Sequence, residues 1–486
     1  MSLHEDRSGL SNAIRNLRSN GPAVLSAMTR WQKETTGLPA WLSSCRVIPD
    51  TGALLQAVLC VGPLATSAIP LLTPVFFVCL CILLIGTARR RGAQWRDLWP
   101  RTPAIAACLM LAIYVFLNAT WSADPITGAR KAVVYASLVL MSFAAVHSVA
   151  ILDRQTLRRS GLFFAAGVLL GAIFVLVELL TQGRMSSFAM NWIPLLYPST
   201  PKHLRITQGQ VVGMDLGQLN HNVGVVMFNL WPGLLALSDL KALIRAIAIA
   251  VFLVAIGTVV MISEHSASQV GLLGSTIIVM AMWHWPRRVI RALAVLWCLS
   301  FVLVIPASVI AYQNGLHFAT WLPVTARQRV IIWQYTAEQV FSHPLLGTGV
   351  ESTPVLNRQQ EATGIEQPQG FVFPRSLGSH AHDVYLQAWF ELGAVGALLF
   401  AVAGAVVIML ITVLPASAQP FAAGTVAAFA IVGAFSWSMW QVWFMCAAAL
   451  LPLYLRIAAV DLDPVKKGNQ RFSTQALSTR LPTTTA

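Results

Sequence analysis

Charged side chains are scarce in this sequence. Asp, Glu, Lys and Arg make up 11% of the 486 residues, 56% of the residues are hydrophobic, and the mean hydropathy is +0.66. So few charges cannot cover the surface of a soluble domain of this length. The composition therefore excludes a soluble fold and predicts an all-α polytopic membrane protein.

The sequence also has few cysteines and no signal-peptide core. Most of its seven cysteines lie in apolar runs, where they behave as small hydrophobes, and they form neither a disulfide framework nor a zinc spacing. The first 51 residues are polar and lack the short apolar segment of a signal peptide. The net charge of +14 raises the question of nucleic acid, but its distribution follows membrane topology, so no nucleic-acid partner is expected.

Long apolar runs are abundant. A helix needs about 20 residues to cross roughly 30 Å of hydrocarbon, and the sequence predicts twelve such spans. They fall near residues 52–70, 71–88, 102–120, 132–152, 160–181, 219–238, 243–262, 267–285, 289–312, 393–414, 419–437 and 438–456. Pro70 and Pro74 leave open whether the first two spans form a tight hairpin or one kinked helix.

The lysines and arginines indicate the orientation of these spans. With the N-terminus inside, 24 of the 33 lie in predicted cytoplasmic segments, in agreement with the positive-inside rule. The outer basic residues are Arg130, Lys131, Arg184, Lys202, Arg205, Arg327, Arg329, Arg358 and Arg375. They could bind lipid headgroups, or their planar guanidinium groups could bind phosphate oxygens of a lipid-linked substrate.

The longest polar interval between apolar segments is predicted to carry the chemistry. Near its start, Arg327 and Arg329 would lie on one side of an extended chain but about 200° apart on a helix. We therefore expect only one of them to face a site. Arg329, four residues before Trp333, is the preferred residue. Arg327 is interpreted either as a second phosphate ligand or as a surface charge.

The sequence Ser-His-Ala-His-Asp at residues 379–383 ends this interval. Ser379 is predicted to be the N-cap of the helix that follows, which places His382 in the first turn. There the helix dipole disfavours imidazolium, so a neutral His382 can accept a proton from a hydroxyl near neutral pH. Competing interpretations are a zinc site and a pair of capping or packing histidines, His380 and His382. No clearly spaced third ligand is present, so no metal is expected.

Three motifs in this interval carry a family resemblance. They are Arg-x-x-x-Trp at 329–333, His-Pro-Leu-Leu-Gly-x-Gly at 343–349, and Ser-His-Ala-His-Asp-x-Tyr-Leu-Gln from 379, followed by Glu-x-Gly ending at 393. Weaker similarities occur at 119–125, Arg205 and 217–222. Together they resemble the O-antigen ligase and polymerase superfamily over roughly residues 52–456. The family usually has Asn where this chain has Asp383, and often Arg where it has Gln269.

The resemblance implies a metal-independent, inverting glycosyltransferase with no cofactor, embedded as a multi-pass protein in the bacterial inner membrane with its active site facing the periplasm. It would transfer a glycan from undecaprenyl pyrophosphate to a lipid A core sugar, as in lipopolysaccharide biosynthesis. The alternative within the family is an O-antigen or exopolysaccharide polymerase, whose acceptor is another lipid-linked glycan. A secondary transporter is the alternative from another class, because twelve helices is a common transporter count.

The same resemblance implies roles for particular residues. Arg329 and Arg205 would hold the pyrophosphate, with Arg327 as a further ligand, and His382 would activate the acceptor hydroxyl or steady the leaving group. The expected supporting residues are His380, Asp383, Glu391, Trp333, Asn220 and Asn222. The predicted organisation is a cytoplasmic extension at 1–51, spans 1–9 at 52–312, a large periplasmic loop between helices 9 and 10 at 313–392, spans 10–12 at 393–456, and a cytoplasmic tail at 457–486.

Overall fold

The computed structural model describes residues 51–99, 102–193, 204–359, 364–367 and 371–459. The predicted N-terminal extension up to residue 50, the tail from residue 460 and Lys202 lie outside these residues. Nine described helical stretches are long and apolar enough to cross a membrane. The prediction of an all-α polytopic membrane protein is confirmed.

The first half of the chain contains helices and one β-hairpin. Its elements are α1 Thr51–Ala68, α2 Thr73–Arg90, α3 Pro103–Asn118, α4 Pro125–Val149, α5 Arg154–Thr181, α6 Arg184–Trp192, β1 Leu204–Thr207, β2 Gln210–Met214, α7 Asn220–Phe228, α8 Leu230–Ala236 and α9 Ala242–Ile262. Strands β1 and β2 pair antiparallel. One-turn 3₁₀ helices occupy Pro70–Leu72, Trp95–Leu98, Ala119–Trp121 and Leu216–Leu219.

The second half adds the remaining helices and a second short hairpin. Its elements are α10 Ser266–His284, α11 Pro286–Gln313, α12 Val324–Val340, α13 Thr353–Gln359, β3 Ile365–Glu366, β4 Phe373–Pro374, α14 Val384–Gln387, α15 Gly393–Met409, α16 Gln419–Gly433 and α17 Val442–Ala458. Ala388–Leu392 forms a π turn between α14 and α15. One-turn 3₁₀ helices occupy Leu316–Phe318 and Leu410–Val413.

Three predicted spans are shorter or interrupted. Helices α16 and α17 are apolar but have fewer than 18 residues. The span predicted at 219–238 is broken at Asn229 into α7 and α8. Pro232 accounts for the break, because its ring cannot pack against the carbonyl four residues earlier and it lacks an N–H group.

Helices α1 and α2 form a hairpin. A Cβ atom at Gly62 would lie 1.9 Å from Cε2 of Phe76, so the two residues touch although they lie on opposite sides of the turn at Ile69. In one kinked helix, 14 residues would separate them by about 20 Å. The hairpin is therefore the correct alternative.

The connections between helices meet at two ends of the bundle. At one end Arg91 pairs with Asp153 at 2.9 Å, and Arg158 donates to the carbonyl of Asp239 at 3.2 Å. At the other end, called the outer end here, Ser122 Oγ donates to the carbonyl of Val350 at 2.7 Å. The loops that follow α3, α5, α9, α11 and α16 lie at the outer end, as do all the predicted site residues.

The segment from His343 to Gly349 packs on the π turn. The carbonyls of Phe390 and Glu391 accept hydrogen bonds from the N–H groups of Thr348 at 3.0 Å and Gly349 at 2.9 Å. Gly349 has φ +100°, and a Cβ atom there would lie 2.3 Å from Cα of Ser122. Only glycine fits this close approach, so the segment fixes the outer ends of α4 and α15 to each other.

Candidate functional site

An unwound segment between α16 and α17, Ala434–Gln441, organises the outer end. Sequence analysis assigned its residues to two membrane spans. The segment contributes Ser436 and Trp437 to one buried polar cluster and Ser438 and Trp440 to another. The polar and tryptophan-rich sequence Ser-Trp-Ser-x-Trp inside an apolar run was the signal that could have revealed it.

His382 has a defined tautomer. Its Nδ1 lies 2.6 Å from the backbone carbonyl oxygen of Ser436, and a carbonyl can only accept, so Nδ1 carries the hydrogen. In the neutral ring Nε2 then has a free lone pair. The backbone of His382 is left-handed, with φ +54°. Non-glycine residues seldom adopt this conformation, and such outliers concentrate at functional sites.

The prediction that Ser379 is the N-cap is wrong. Asp383 caps the helix, because its Oδ1 accepts hydrogen bonds from the N–H groups of Tyr385 at 2.8 Å and Leu386 at 3.0 Å. Ser379 Oγ instead lies 3.0 Å from Nδ1 of His380. His382 therefore precedes the helix and does not lie in its first turn. Burial raises the pKa of Asp383 to about 7, although both backbone hydrogen bonds lower it.

Burial and Arg329 hold the rings of His380 and His382 neutral by lowering their pKa values. Burial and then the Arg329 guanidinium lower the pKa of His382 to about 4, against the opposing effect of the Ser436 carbonyl. Burial and the neighbouring His382 are the main causes that lower the pKa of His380 to about 3, with a smaller effect from Arg329. A neutral His382 was expected from a helix dipole, whereas the causes that lower its pKa are burial and Arg329.

The two arginines of α12 point in different directions, as expected for residues about 200° apart on a helix. Arg329 faces the histidines, and burial lowers its own pKa. The side chain of Arg327 is only 6% exposed, and its guanidinium lies 5.1 Å from the ring centroid of Phe371. The interpretation of Arg327 as a surface charge is therefore wrong.

His265, between α9 and α10, was missed by sequence analysis. It is 3% exposed, with Nδ1 2.7 Å from Ser268 Oγ and Nε2 3.0 Å from Ser436 Oγ. Its ring stacks on Trp437 with centroids 4.8 Å apart. A histidine between two predicted spans was the only signal available. The adjacent Gln269 donates to the carbonyl of Ser263 at 3.0 Å and so satisfies the end of α9. We call Arg329, His265, His380, His382 and Ser436 the histidine cluster.

Trp333 supports the histidine cluster from α12. Its Nε1 donates to the carbonyl of Ala381 at 2.9 Å, which ties α12 to the histidine segment. Asn222 lies elsewhere, because its Nδ2 donates to the carbonyls of Ser67 at 2.8 Å and Ala68 at 2.9 Å and closes the end of α1. Asn220 has a buried Oδ1 for which the described residues provide no hydrogen-bond partner.

Arg205 contacts Gln182 on the outer end. It is exposed on β1, and its Nη1 donates to Gln182 Oε1 at 2.6 Å. No hydrogen bond or ion pair joins Arg205 to Arg329 or His382 within the part of the chain that the structure describes. The structure therefore joins the Arg-x-x-x-Trp motif to the Ser-His-Ala-His-Asp motif, whereas no hydrogen bond or ion pair in the described residues joins Arg205 to them.

Glu391 is the centre of a second buried cluster. Its carboxylate accepts hydrogen bonds from Thr353 N and Gln387 Nε2, both at 3.2 Å, from Glu351 N at 3.0 Å, and from Thr353 Oγ1 and Trp440 Nε1. Glu391 is fully buried, and the five donors satisfy the hydrogen-bonding capacity of its carboxylate. The carboxylate therefore fixes the loop before α13 against the unwound segment.

Lys131 completes this glutamate cluster, which we define as Lys131, Glu351, Thr353, Glu391 and Trp440. Lys131 Nζ lies 3.5 Å from Glu351 Oε1 and donates to the carbonyl of Trp440 at 2.8 Å. Lys131 was expected, as an outer basic residue, to bind a substrate or a lipid headgroup. It instead makes its contacts within the protein. Among the described residues no group of three or more His, Cys, Asp or Glu is arranged to hold a metal ion.

The histidine cluster combines a permanent cation with an unprotonated imidazole nitrogen, a pair suited to proton abstraction beside a departing anion. Residues 250–401 match a protein-family model described as O-antigen ligase. The matched region contains Arg329, His382 and Glu391. No curated protein matches the chain.

Proposed function

We propose that the chain is an O-antigen ligase-type glycosyltransferase, and the match of residues 250–401 to the O-antigen ligase family model supports this proposal. The family match confirms the resemblance described from the sequence motifs. In this proposal the protein lies in a bacterial inner membrane with its outer end in the periplasm. It transfers a glycan from undecaprenyl pyrophosphate to a sugar of the lipid A core.

The observation that carries the proposal is the hydrogen bond from His382 Nδ1 to the Ser436 carbonyl, beside Arg329. It leaves Nε2 of His382 to take the proton of an acceptor hydroxyl. The hydroxyl oxygen then forms a bond to the anomeric carbon while the bond from that carbon to the pyrophosphate oxygen breaks. A single displacement of this kind inverts the configuration at that carbon.

Arg329 stabilises the leaving group in this scheme. Its guanidinium offers permanently charged donors to phosphate oxygens, and these interactions strengthen as charge develops on the departing pyrophosphate. The proton taken by His382 leaves to the released lipid pyrophosphate or to water. Arg205 is proposed to contact the pyrophosphate from the β1–β2 hairpin, and Arg327 supports α12 from its opposite side. The reaction needs no metal or cofactor.

The proposal is tested with purified protein in lipid nanodiscs, given a lipid-linked glycan and lipid A core without added metal. We expect transfer by the unaltered protein, and loss of transfer in Arg329→Ala with normal expression and membrane insertion. Arg358→Ala is the matched control, because Arg358 is an exposed arginine of the outer end that lies outside both clusters. Full activity of Arg329→Ala would defeat the site assignment.

Deletion of the gene separates ligation from polymerisation. Loss of attached glycan chains while lipid-linked polymer accumulates supports ligation to the core. Single repeat units attached to the core would contradict ligation and indicate a polymerase whose acceptor is a second lipid-linked glycan.

Uptake of a solute by proteoliposomes without glycan transfer would instead support the transporter alternative.

A further inference from the structure

Ser436 is contacted from two sides by histidine rings. Its backbone carbonyl accepts the hydrogen bond from His382 Nδ1 at 2.6 Å, and its Oγ lies 3.0 Å from Nε2 of His265. Ser436 lies in the unwound segment, so no helical hydrogen-bond ladder fixes the direction of its carbonyl. Some other interaction has to hold it, because the tautomer of His382 depends on where this carbonyl points.

His265 is suited to that task because it is itself immobilised. Its second ring nitrogen contacts Ser268 at the start of α10, and Trp437 stacks on its face. The ring is almost completely buried, so it has little freedom to rotate. A rigid imidazole in contact with the serine hydroxyl holds the side chain of Ser436, and with it the Cα atom from which the carbonyl group projects, so it limits the displacement of that carbonyl.

We infer that His265 is a positioning residue for proton transfer, acting through Ser436 to keep the lone pair of His382 on Nε2. The inference rests on the proposed function, in which His382 is the base. His265 itself does not touch the reacting groups in this arrangement. Its neutral state suits the role, since burial first and Arg329 second lower the pKa of His265 to about 3.

The kinetic test compares His265→Ala and Ser436→Ala with unaltered protein, per amount of folded enzyme. We expect kcat to fall about tenfold in each, a part of the 10²–10⁴-fold that a general base contributes, while KM for the lipid-linked donor stays the same. The double variant should be no slower than either single variant, because both remove the same restraint. His284→Ala, at the opposite end of α10, is the control and should leave kcat unchanged.

A conservative variant separates positioning from general stabilisation. In His265→Gln the amide can reach the position of Nε2 and contact Ser436 Oγ again, so we expect kcat to recover most of its value. A purely structural role for His265 would lower the yield of folded protein, with kcat of the folded fraction unaltered. That result in His265→Ala, together with normal kcat in Ser436→Ala, would overturn the inference.

Solid-state ¹⁵N NMR of histidine-labelled protein gives a readout that does not depend on activity. In unaltered protein the His382 signals should show a protonated Nδ1 and an unprotonated Nε2, and His265→Ala should produce a mixture of both tautomers. An unchanged tautomer would overturn the inference whether or not transfer is observed. Absence of glycan transfer by the unaltered protein would defeat the proposed function, and full activity of Arg329→Ala would defeat the site assignment. An unchanged tautomer in His265→Ala, with transfer by the unaltered protein and loss of transfer in Arg329→Ala, defeats only the positioning role.

Discussion

The glutamate cluster and the histidine cluster lie at the same end of the bundle and share one unwound segment, yet they differ in their hydrogen bonding. Glu391 accepts from five donors, whereas the ring of His382 makes one hydrogen bond among the described residues, from Nδ1 to the Ser436 carbonyl, and keeps the lone pair of Nε2. A satisfied buried carboxylate stabilises a fold, and buried polar groups left open are costly unless a ligand completes them. The difference agrees with the proposal that the glutamate cluster supports the fold and that the histidine cluster binds the substrate.

The two clusters also differ in charge. Lys131 and Glu351 form an ion pair beside Glu391, so opposite charges meet there. In the histidine cluster Arg329 faces imidazoles whose pKa values it lowers. A cation surrounded by neutral rings in a buried place favours an anion, which suits a phosphate group.

The largest expected effect is the loss of the proposed base, His382, from the histidine cluster. His382→Asn should reduce transfer by about 10²-fold or more, the contribution of a general base, while the protein folds normally, since asparagine tolerates the left-handed backbone at this position. Transfer rate and size-exclusion profile are the measurements. His380→Asn should be milder, and an equal loss there would show that the wrong histidine was chosen.

The second-largest effect is expected in the glutamate cluster and concerns stability. Glu391→Ala leaves Trp440 Nε1 and the N–H groups of Glu351 and Thr353 without their acceptor, so the free energy of unfolding should fall by about 3 kcal/mol or more. Melting temperature in detergent measures this change. Glu338→Ala is the control, because its pair with Arg375 is half exposed and contributes less than about 1 kcal/mol. Equal melting temperatures would contradict the structural role of Glu391.

A smaller effect is expected from pH. The pKa values of His265 and His380 are lowered to about 3 and that of His382 to about 4, so the unfolded chain binds more protons below pH 6.5. The contribution of the three histidines to stability should therefore be complete above pH 6.5 and decline as pH falls towards 4. Their combined effect should exceed the opposite effect of the single raised pKa of Asp383. Melting temperature against pH tests this, and the decline should be weaker in His380→Gln. Transfer should persist below pH 6.5, because His382 stays unprotonated down to about its own pKa.

The smallest effect is expected at the helix cap between the clusters. Asp383→Asn should change the free energy of unfolding by less than about 0.5 kcal/mol, since aspartate and asparagine cap helices about equally well. Asp383→Ala should lower the free energy of unfolding by about 1 kcal/mol. Chemical denaturation of both variants tests whether Asp383→Ala lowers the free energy of unfolding more than Asp383→Asn does. A large loss in Asp383→Asn would show that the negative charge has a role beyond capping.

The membrane spans were predictable because apolar runs of about 20 residues form transmembrane helices. The separation of Arg327 from Arg329 followed from helical periodicity. Ser379 was mistaken for the cap because both it and Asp383 are good capping residues, and only the backbone decides between them. His265 and Ser436 could not be paired from the sequence, because 171 residues separate them and the group that fixes His382 is a backbone carbonyl.

Helix α16 has 15 residues and is therefore about 22 Å long, less than the roughly 30 Å thickness of hydrocarbon. A bilayer around such a short element either becomes thinner locally or leaves the following segment below the level of the lipid headgroups. In both cases the pyrophosphate of the proposed lipid-linked substrate would meet Ser436 and its neighbours at a depth where water is depleted. Membrane thickness then becomes a determinant of how easily the substrate reaches the protein.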